Sequence, residues 1–416
     1  MLTGRGVSVA LAAVLTWLIG RMLGIAELYA VAVACGAVLG LGVLYVRQTT
    51  SSVAARRLVE TDRVVAGGEV HASLELRNDG RVPTPTLLVS EQLPESLWAA
   101  EQALPGEARF VIGGLGPGRV ATAPYRARAD ARGRQQLGPV TVRIRDPFGV
   151  AERIRRYTAV QDVLVYPRIE RLPDQQVSGT HMGSGSSDSR RVFATGDEFY
   201  TMREYVRGDD LRMVHWPSTA HRQTMMVRQM EQPWQAHATL HLDTRRSSHT
   251  DGPDGTLEHA VSIAASLVYH LADRGYAIRL VTDTDTGRGG PQPWAQSLDR
   301  LALLEPSDNT GMGPSVAATR GGEGLFVSVV GVPDGREDPA HHPDMRALFG
   351  VRGFGQRLVF VTGPRADDPR AVRAVQLLAA AGWQATLMTP GTPLAPRWVE
   401  LMTPRSRHGA RAGAAG

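Results

Sequence analysis

The chain has 416 residues, 43% hydrophobic and 21% charged, with a formal net charge of +5. That length exceeds one compact core and predicts two folded units with accessory segments. All 46 basic residues are arginine, which excludes a phosphate-loop lysine, a Schiff-base lysine and a lysine general base. The single cysteine, Cys35, excludes an internal disulfide. No basic stripe with interleaved aromatics is present, so nucleic acid is not an expected partner.

Residues 1–50 read as a two-helix membrane anchor. Leu28 to Val46 carries no charge over nineteen residues, enough at about 1.5 Å per residue to cross a bilayer core. Val7 to Gly20 is shorter, but Arg5 and Arg21 flank it and can snorkel to extend the span. Tyr29 and Tyr45 sit near the ends of the second run, where interfacial aromatics gather. A cleaved signal peptide fits poorly, because a second apolar run follows at once without a small-residue cleavage site. Cys35 as a lipoprotein site is weaker still, since the apolar run continues past it. Arg5 precedes the first span and Arg47, Arg56 and Arg57 follow the second, while the turn sets Arg21 against Glu27. This asymmetry predicts a multi-pass cell-membrane protein with its soluble body in the cytoplasm.

Residues 51–170 alternate like strands: 71–77, 86–91, 120–129, 140–145 and 162–166, with Asn78-Asp79-Gly80 as a turn. Short, evenly punctuated strands predict an all-β, Ig-like sandwich. Asp146-Pro147-Phe148-Gly149 reads as a turn with an aromatic plug. Residues 171–234 form a linker, rich in Ser and Gly over 177–190, followed by an unusual charged and aromatic stretch. Over 235–400 strands alternate with helices: strands at 237–243, 277–283, 325–332, 357–362 and 384–389, helices at 257–274, 295–304 and 368–381. That rhythm predicts a doubly wound α/β unit. Residues 401–416 are small and basic and read as a disordered tail.

The central stretch carries Arg203-Glu204-Tyr205, Gly208-Asp209-Asp210, Arg212 and His215-Trp216, then Arg228 and Glu231. Gly208 permits a tight turn, and Asp209 is placed to cap a short helix over 210–216. The favoured reading is a satisfied ion-pair network locking the two units. A partner or ligand surface is the alternative, with Trp216 and Tyr205 as anchors. A catalytic Asp/Glu/His cluster is a third reading, but spacing places no nucleophile beside it. His215 and His221 have no third ligand, so metal binding there is weaker still.

This pattern closely resembles the signature of the domain of unknown function 58 family, which runs Arg-Glu-Tyr, Gly-Asp-Asp, Arg, His-Trp and Val-Arg-x-x-Glu. Here Val227-Arg228 and Glu231 supply the last part. The paired N-terminal spans and the Asp146–Gly149 turn resemble that family too. Pro217 stands where the family often has lysine, and His221 where its Ser-Ala-Arg triplet has arginine. The resemblance implies a von Willebrand factor A-like C-terminal unit, and such domains place Asp-x-Ser-x-Ser after the first strand to hold Mg²⁺. Here that run is Asp243-Thr244-Arg245-Arg246-Ser247. Asp243 and Ser247 match, but Arg245 offers no acceptor and repels a divalent ion. A later strand ends Thr362-Gly363-Pro364, without the family carboxylate. The metal site therefore reads as a degenerate remnant, with Asp243 capping a local turn, and no cofactor is expected. The resemblance further implies a MoxR-type AAA+ ATPase as partner and a transglutaminase-like membrane protein as a second one. The expected function is a membrane-anchored, non-enzymatic scaffold or assembly factor; the alternative is a hydrolase using the central cluster.

Overall fold

The computed structural model describes residues 2–99, 106–174, 200–206, 210–230, 236–285, 287, 289–333 and 338–403. The chain forms two units: residues 1–169 with 298–305, and residues 170–297 with 306–416. The Ser/Gly-rich segment at 177–190 and the expected tail from residue 404 on lie outside the described residues, whereas Leu401 and Met402, assigned to that tail from sequence, are buried at the end of a helix.

The first unit opens with two antiparallel helices, α1 (Gly4–Leu23) and α2 (Ala26–Ser52). Thr3 caps α1 by accepting the Gly6 N–H, and Gly24 ends it at a φ of 65°, a left-handed conformation that favours glycine. Both helices are long and apolar enough to cross a membrane. They extend beyond the apolar runs read from sequence because Thr3 and Gly24 set the ends of α1, while α2 continues polar to Ser52.

Among the described residues eleven strands follow: β1 (Val53–Val59), β2 (Arg63–Val65), β3 (Glu69–Asn78), β4 (Leu87–Gln92), β5 (Leu97–Ala99), β6 (Glu107–Ile112), β7 (Val120–Ala129), β8 (Gly133–Leu137), β9 (Val140–Arg145), β10 (Glu152–Tyr157) and β11 (Gln161–Tyr166). They form antiparallel sheets in the orders β1-β3-β7-β5 and β10-β9-β4-β6, and a small mixed sheet β2-β11-β8. Burial alternates along β3 and β7, the period-2 signature of strands with one buried face. Leu74 and Leu76 of β3, Leu87 and Val89 of β4, and Val142 and Ile144 of β9 share one core.

That core also holds an ion pair, Arg57 with Glu91, both almost wholly buried. Burial raises the Glu91 carboxyl, and the Arg57 charge only partly offsets it. Removing one partner leaves a buried charge unanswered, whereas replacing both with apolar groups does not. Glu91→Ala is expected to cost about 3–5 kcal/mol, and Arg57→Met with Glu91→Leu to recover most of it in denaturant melts. Single variants as stable as wild type would contradict this reading of the core.

The second unit holds an antiparallel pair, β12 (Tyr200–Glu204) with β13 (Met226–Met230), joined through the short helix α3 (Trp216–Arg222). Beyond it lie β14 (His237–Leu242), α4 (Thr256–Asp273), β15 (Ala277–Thr282), α5 (Trp294–Ala302), α6 (Gly313–Ala318), β16 (Leu325–Gly331), α7 (Pro343–Phe349), β17 (Gln356–Thr362), α8 (Pro369–Ala380), β18 (Gln384–Met388) and α9 (Leu394–Met402). The last residues of α5 group with the first unit. Strands β14 to β18 make a parallel sheet in the order β15-β14-β16-β17-β18. All seven residues of β16 are buried, as a parallel strand covered on both faces requires. Helix α4 lies along β14 to β17, and its His270 meets Trp398 of α9 edge-on at 5.3 Å. Helices α6, α7 and α8 share a separate core with Phe326, Val330, Val359 and Val361.

Candidate functional site

Two places draw chemistry together, both in the second unit. The first is the crevice at the carboxyl ends of the parallel strands. Strand order reverses there, because β14 sits between β15 and β16, and open α/β sheets bind ligands at such a switch point. Asp243 and Thr244 follow β14, Asp283 follows β15, Asp344 opens α7 after β16, and Thr362 ends β17.

Arg245 fills this crevice at 1% exposure. Its Nε donates to Asp243 Oδ1 at 2.8 Å and one Nη to Asp243 Oδ2 at 2.9 Å. The same nitrogen lies 2.8 Å from Asp344 Oδ2. Asp243 also accepts the Arg245 N–H at 3.1 Å, so the residue two positions back both caps the turn and grips the guanidinium. Burial alone would raise the Asp243 carboxyl; hydrogen bonds and charge from Arg245 outweigh it and hold the group below its ordinary range. The other oxygen of Asp344 accepts the Met312 N–H at 3.0 Å. His342 Nδ1 lies 3.4 Å from Asp344. His249 reaches the Asp243 carbonyl with Nε2 at 2.9 Å. Asp283 accepts from the Thr244 hydroxyl and, at 3.0 Å, from the Thr244 N–H, while Asn309 donates to it at 3.2 Å.

Ser247, the other residue of the expected remnant, is exposed. Thr362 Oγ1 turns inward to the Val330 carbonyl at 3.0 Å. Among the described residues no group of three His, Cys, Asp or Glu is arranged to hold a metal ion. The arrangement can pair a fixed organic cation with carboxylates. Sequence spacing missed Asp283, His249 and Asp344. For Asp344 a signal existed: His342-Pro343-Asp344 reads as a cap, a proline at the first helical position and an acid in the first turn, the start of α7.

Behind the crevice, His241 is fully buried between Ser328 Oγ at 2.9 Å and Ser315 Oγ at 3.0 Å. Burial pushes its ring down to about 4, against the pull of Asp243.

The second place is the charged and aromatic stretch. Strand β12 places Arg203 opposite Val227 and Met202 opposite Arg228. Arg207, Gly208, Asp209 and Glu231 lie outside the described residues. The helix expected over 210–216 is instead a 3₁₀ turn at Leu211–Met213 followed by α3. Asp210 Oδ1 caps the turn through the Arg212 N–H at 2.9 Å. Val214 then bridges to Val227 in extended conformation. His215 caps α3, and Pro217 stands at its first turn; proline suits a helix start and not its interior. Thr219 Oγ1 accepts the Met226 N–H at 3.0 Å, tying α3 to β13.

A buried network was the favoured expectation, yet Glu204, Asp210 and Arg212 are exposed. Tyr205 and His215 are half-buried, and Trp216 is 66% exposed. Val206 and Met225 are exposed beside it: Tyr205 N–H donates to the Met225 carbonyl at 2.7 Å, and His215 N–H to the Met226 carbonyl at 2.8 Å. The Ser218 hydroxyl lies 2.8 Å from His215 Nδ1.

Two apolar helices, antiparallel β-sheets and a parallel α/β sheet with an arginine-filled crevice define the class of protein. The family described as "Protein of unknown function DUF58" matches residues 201–312, a span that contains the signature stretch and, of the crevice, Asp243, Arg245, His249 and Asp283, but not Asp344 or Thr362. A Bacillus subtilis (strain 168) protein, "Uncharacterized protein YeaD", is 24% identical over 225 residues, 54% of this chain and 54% of that relative. The match thus spans about half the relative's length. Among solved structures, a Pyrococcus furiosus CARDB domain in complex with di-metal ions is similar at 15% identity and a TM-score of 0.20, over 27% of this chain and 91% of that one. Escherichia coli alpha-2-macroglobulin, from domain MG7 to its C-terminus, is similar at 17% identity and a TM-score of 0.22, over 28% and 17%.

The His241 geometry predicts a pH dependence. In the unfolded chain the ring protonates near 6.5; in the fold it stays neutral to about 4. The unfolded state therefore binds more protons between those values, and stability falls as pH drops through that window. Between pH 6.5 and 5 the loss from this group is about 1.6 kcal/mol. His241→Gln, compared with wild type in denaturant melts at both pH values, is expected to lose less by that margin. An equal loss in both proteins would refute it.

Proposed function

We propose that this chain is a membrane-anchored protein-binding scaffold of the DUF58 family, with a von Willebrand factor A-like C-terminal unit. The observation that carries the reading is Arg245: a buried guanidinium occupies the crevice where an α/β sheet would otherwise admit a ligand or metal. Recognition then falls to the exposed signature stretch, where Trp216, Val206 and Met225 stand on adjacent segments. Exposed aromatics of this kind anchor interfaces.

The partner we propose is a MoxR-type AAA+ ATPase, with a transglutaminase-like membrane protein as a second one; both come from the family resemblance. The arginine asymmetry around α1 and α2 supports a cytoplasmic body, where an ATPase would meet it. A second reading, a hydrolase, draws on the contact between Ser218 and His215. The same ring nitrogen also accepts the Ser218 N–H at 3.3 Å, the arrangement of a helix cap three residues back, which supports the scaffold reading instead.

The test is affinity of the detergent-solubilised chain for the MoxR-type ATPase of the same genome. Wild type is expected to bind, and Trp216→Ala to weaken binding by about 30-fold, roughly 2 kcal/mol, with unchanged melting because the side chain is exposed. No binding by wild type, or binding indifferent to Trp216→Ala, would sink the proposal. Loss of a hydrolytic activity in Ser218→Ala would favour the alternative.

A further inference from the structure

The Asp146-Pro147-Phe148-Gly149 turn between β9 and β10 is built against the helical pair of its own unit. Leu2 bridges to Ala151. Thr3 donates its N–H to the Val150 carbonyl at 3.0 Å and its hydroxyl to the Gly149 carbonyl at 2.6 Å. Gly6 of α1 has no room for a side chain, because a Cβ would collide with the Val150 carbonyl. A Cβ on Gly42 of α2 would press on Val150 and on the Asp146 carboxylate. The turn therefore sits in a notch made by two glycines, one near the start of α1 and one in the second half of α2.

Its interior is fixed by a single buried carboxylate. Asp146 Oδ2 accepts the Phe148 N–H at 2.9 Å, and Oδ1 accepts the Ala151 N–H at 2.6 Å. Gly149 takes a φ of 71° to close the turn. With Asp146 turned in, Phe148 is turned out: its side chain is 62% exposed. The plug expected from sequence is thus a projecting ring on a stiff loop. Leu2, just before α1, and Val7, in its first turn, are exposed, and Arg5 approaches Gly149.

Depth follows from helix length. Helix α2 has 27 residues, roughly 40 Å, against a hydrocarbon core of about 30 Å. Its carboxyl-terminal turns must leave the core near Tyr45 and Val46 when the other end starts at Ala26. Gly42 lies one turn inside that exit, and Gly6 lies within the first turn of α1, at the same end of the antiparallel pair. The turn that touches both is held at the level where the spans meet the headgroups.

We propose that Phe148 is a membrane-interface anchor: its ring inserts at the boundary of headgroups and acyl chains, and Arg5 beside it meets lipid phosphate. The occupant of this exposed patch is the lipid surface, because the patch is continuous with the lipid-facing helices. Phenylalanine at that depth sheds water while its backbone stays paired within the turn, and arginine snorkels to the phosphates. The anchor sets the β-sheets of the first unit down on the bilayer at a fixed tilt. This inference rests on the reading of α1 and α2 as membrane spans.

The test uses the full chain with Cys35→Ser, reconstituted in vesicles of phosphatidylethanolamine and phosphatidylglycerol. Spin labels go to Phe148→Cys, to Val33→Cys on the exposed face of α2 and to Thr122→Cys on the exposed face of β7. Collision with oxygen and with a water-soluble nickel chelate is read at each. The label at 148 is expected to favour oxygen over nickel by about threefold relative to 122, at a depth shallower than 33. A label at 148 as open to nickel as that at 122, with 33 in lipid, overturns the anchor while leaving the spans intact. A label at 33 open to nickel overturns the membrane reading itself, and the anchor with it.

Discussion

Arg245 is held with its charge sealed from water between Asp243 and Asp344. Burying one ion costs several kcal/mol unless its partners are close and well directed. Two carboxylates meet that condition from separate elements: one from the end of β14, the other from the start of α7. The pairing ties the turn after β14 to the N-terminal end of α7, and through the Met312 N–H to the approach to α6. Asp283 repeats the logic one strand over, holding Thr244 and Asn309. The loops at the carboxyl ends of three neighbouring strands are thus organised around charge.

The same constraint shapes what the crevice can bind. A divalent cation needs several oxygen ligands around an open position, and the guanidinium already spans two of the nearest carboxylates. His249 and Thr362, which also face this region, spend their polar atoms on Asp243, Thr256 and Val330. The crevice is therefore a packed polar core. Under the proposed scaffold reading, recognition falls instead to the signature stretch, an antiparallel pair with α3 tied to β13 that exposes Trp216 and Met225.

Much of the scaffold was legible in the sequence, for a physical reason. Strands β7 and β9 begin and end where alternation does, at Val120–Ala129 and Val140–Arg145, because one face is buried and the other wet. Helix α4 is framed by its apolar stripe and by Gly275. Other elements escaped: the short strands β2, β5 and β8, the edge strands β1, β6 and β10, the pair β12 and β13, and helices α6, α7 and α9. The pairing of Arg245 with Asp243 was within reach of the sequence because the two stand two positions apart. The pairing with Asp344 was not, because Asp344 arrives from a distant loop and only the fold brings it near. The signature stretch misled in one respect. Its mixed charges read as a buried lock, whereas Asp210 spends its carboxylate on the next turn's N–H and stays exposed. Alternating charge in sequence is as compatible with a solvated face as with a buried network, and burial decides between them.

The claim that Arg245 serves as the built-in cation of this crevice is most directly tested by a double-mutant cycle with Asp344. Arg245→Met, Asp344→Leu and the double variant are melted in denaturant alongside wild type. Arg245→Met leaves two buried carboxylates unanswered and Asp344→Leu removes one of the two that answer the guanidinium, and each is expected to cost about 3–5 kcal/mol. The double change removes both partners, so its cost should fall short of the sum by about 1–3 kcal/mol. Additivity within about 0.5 kcal/mol would mean that the two groups do not depend on each other, and would contradict the account.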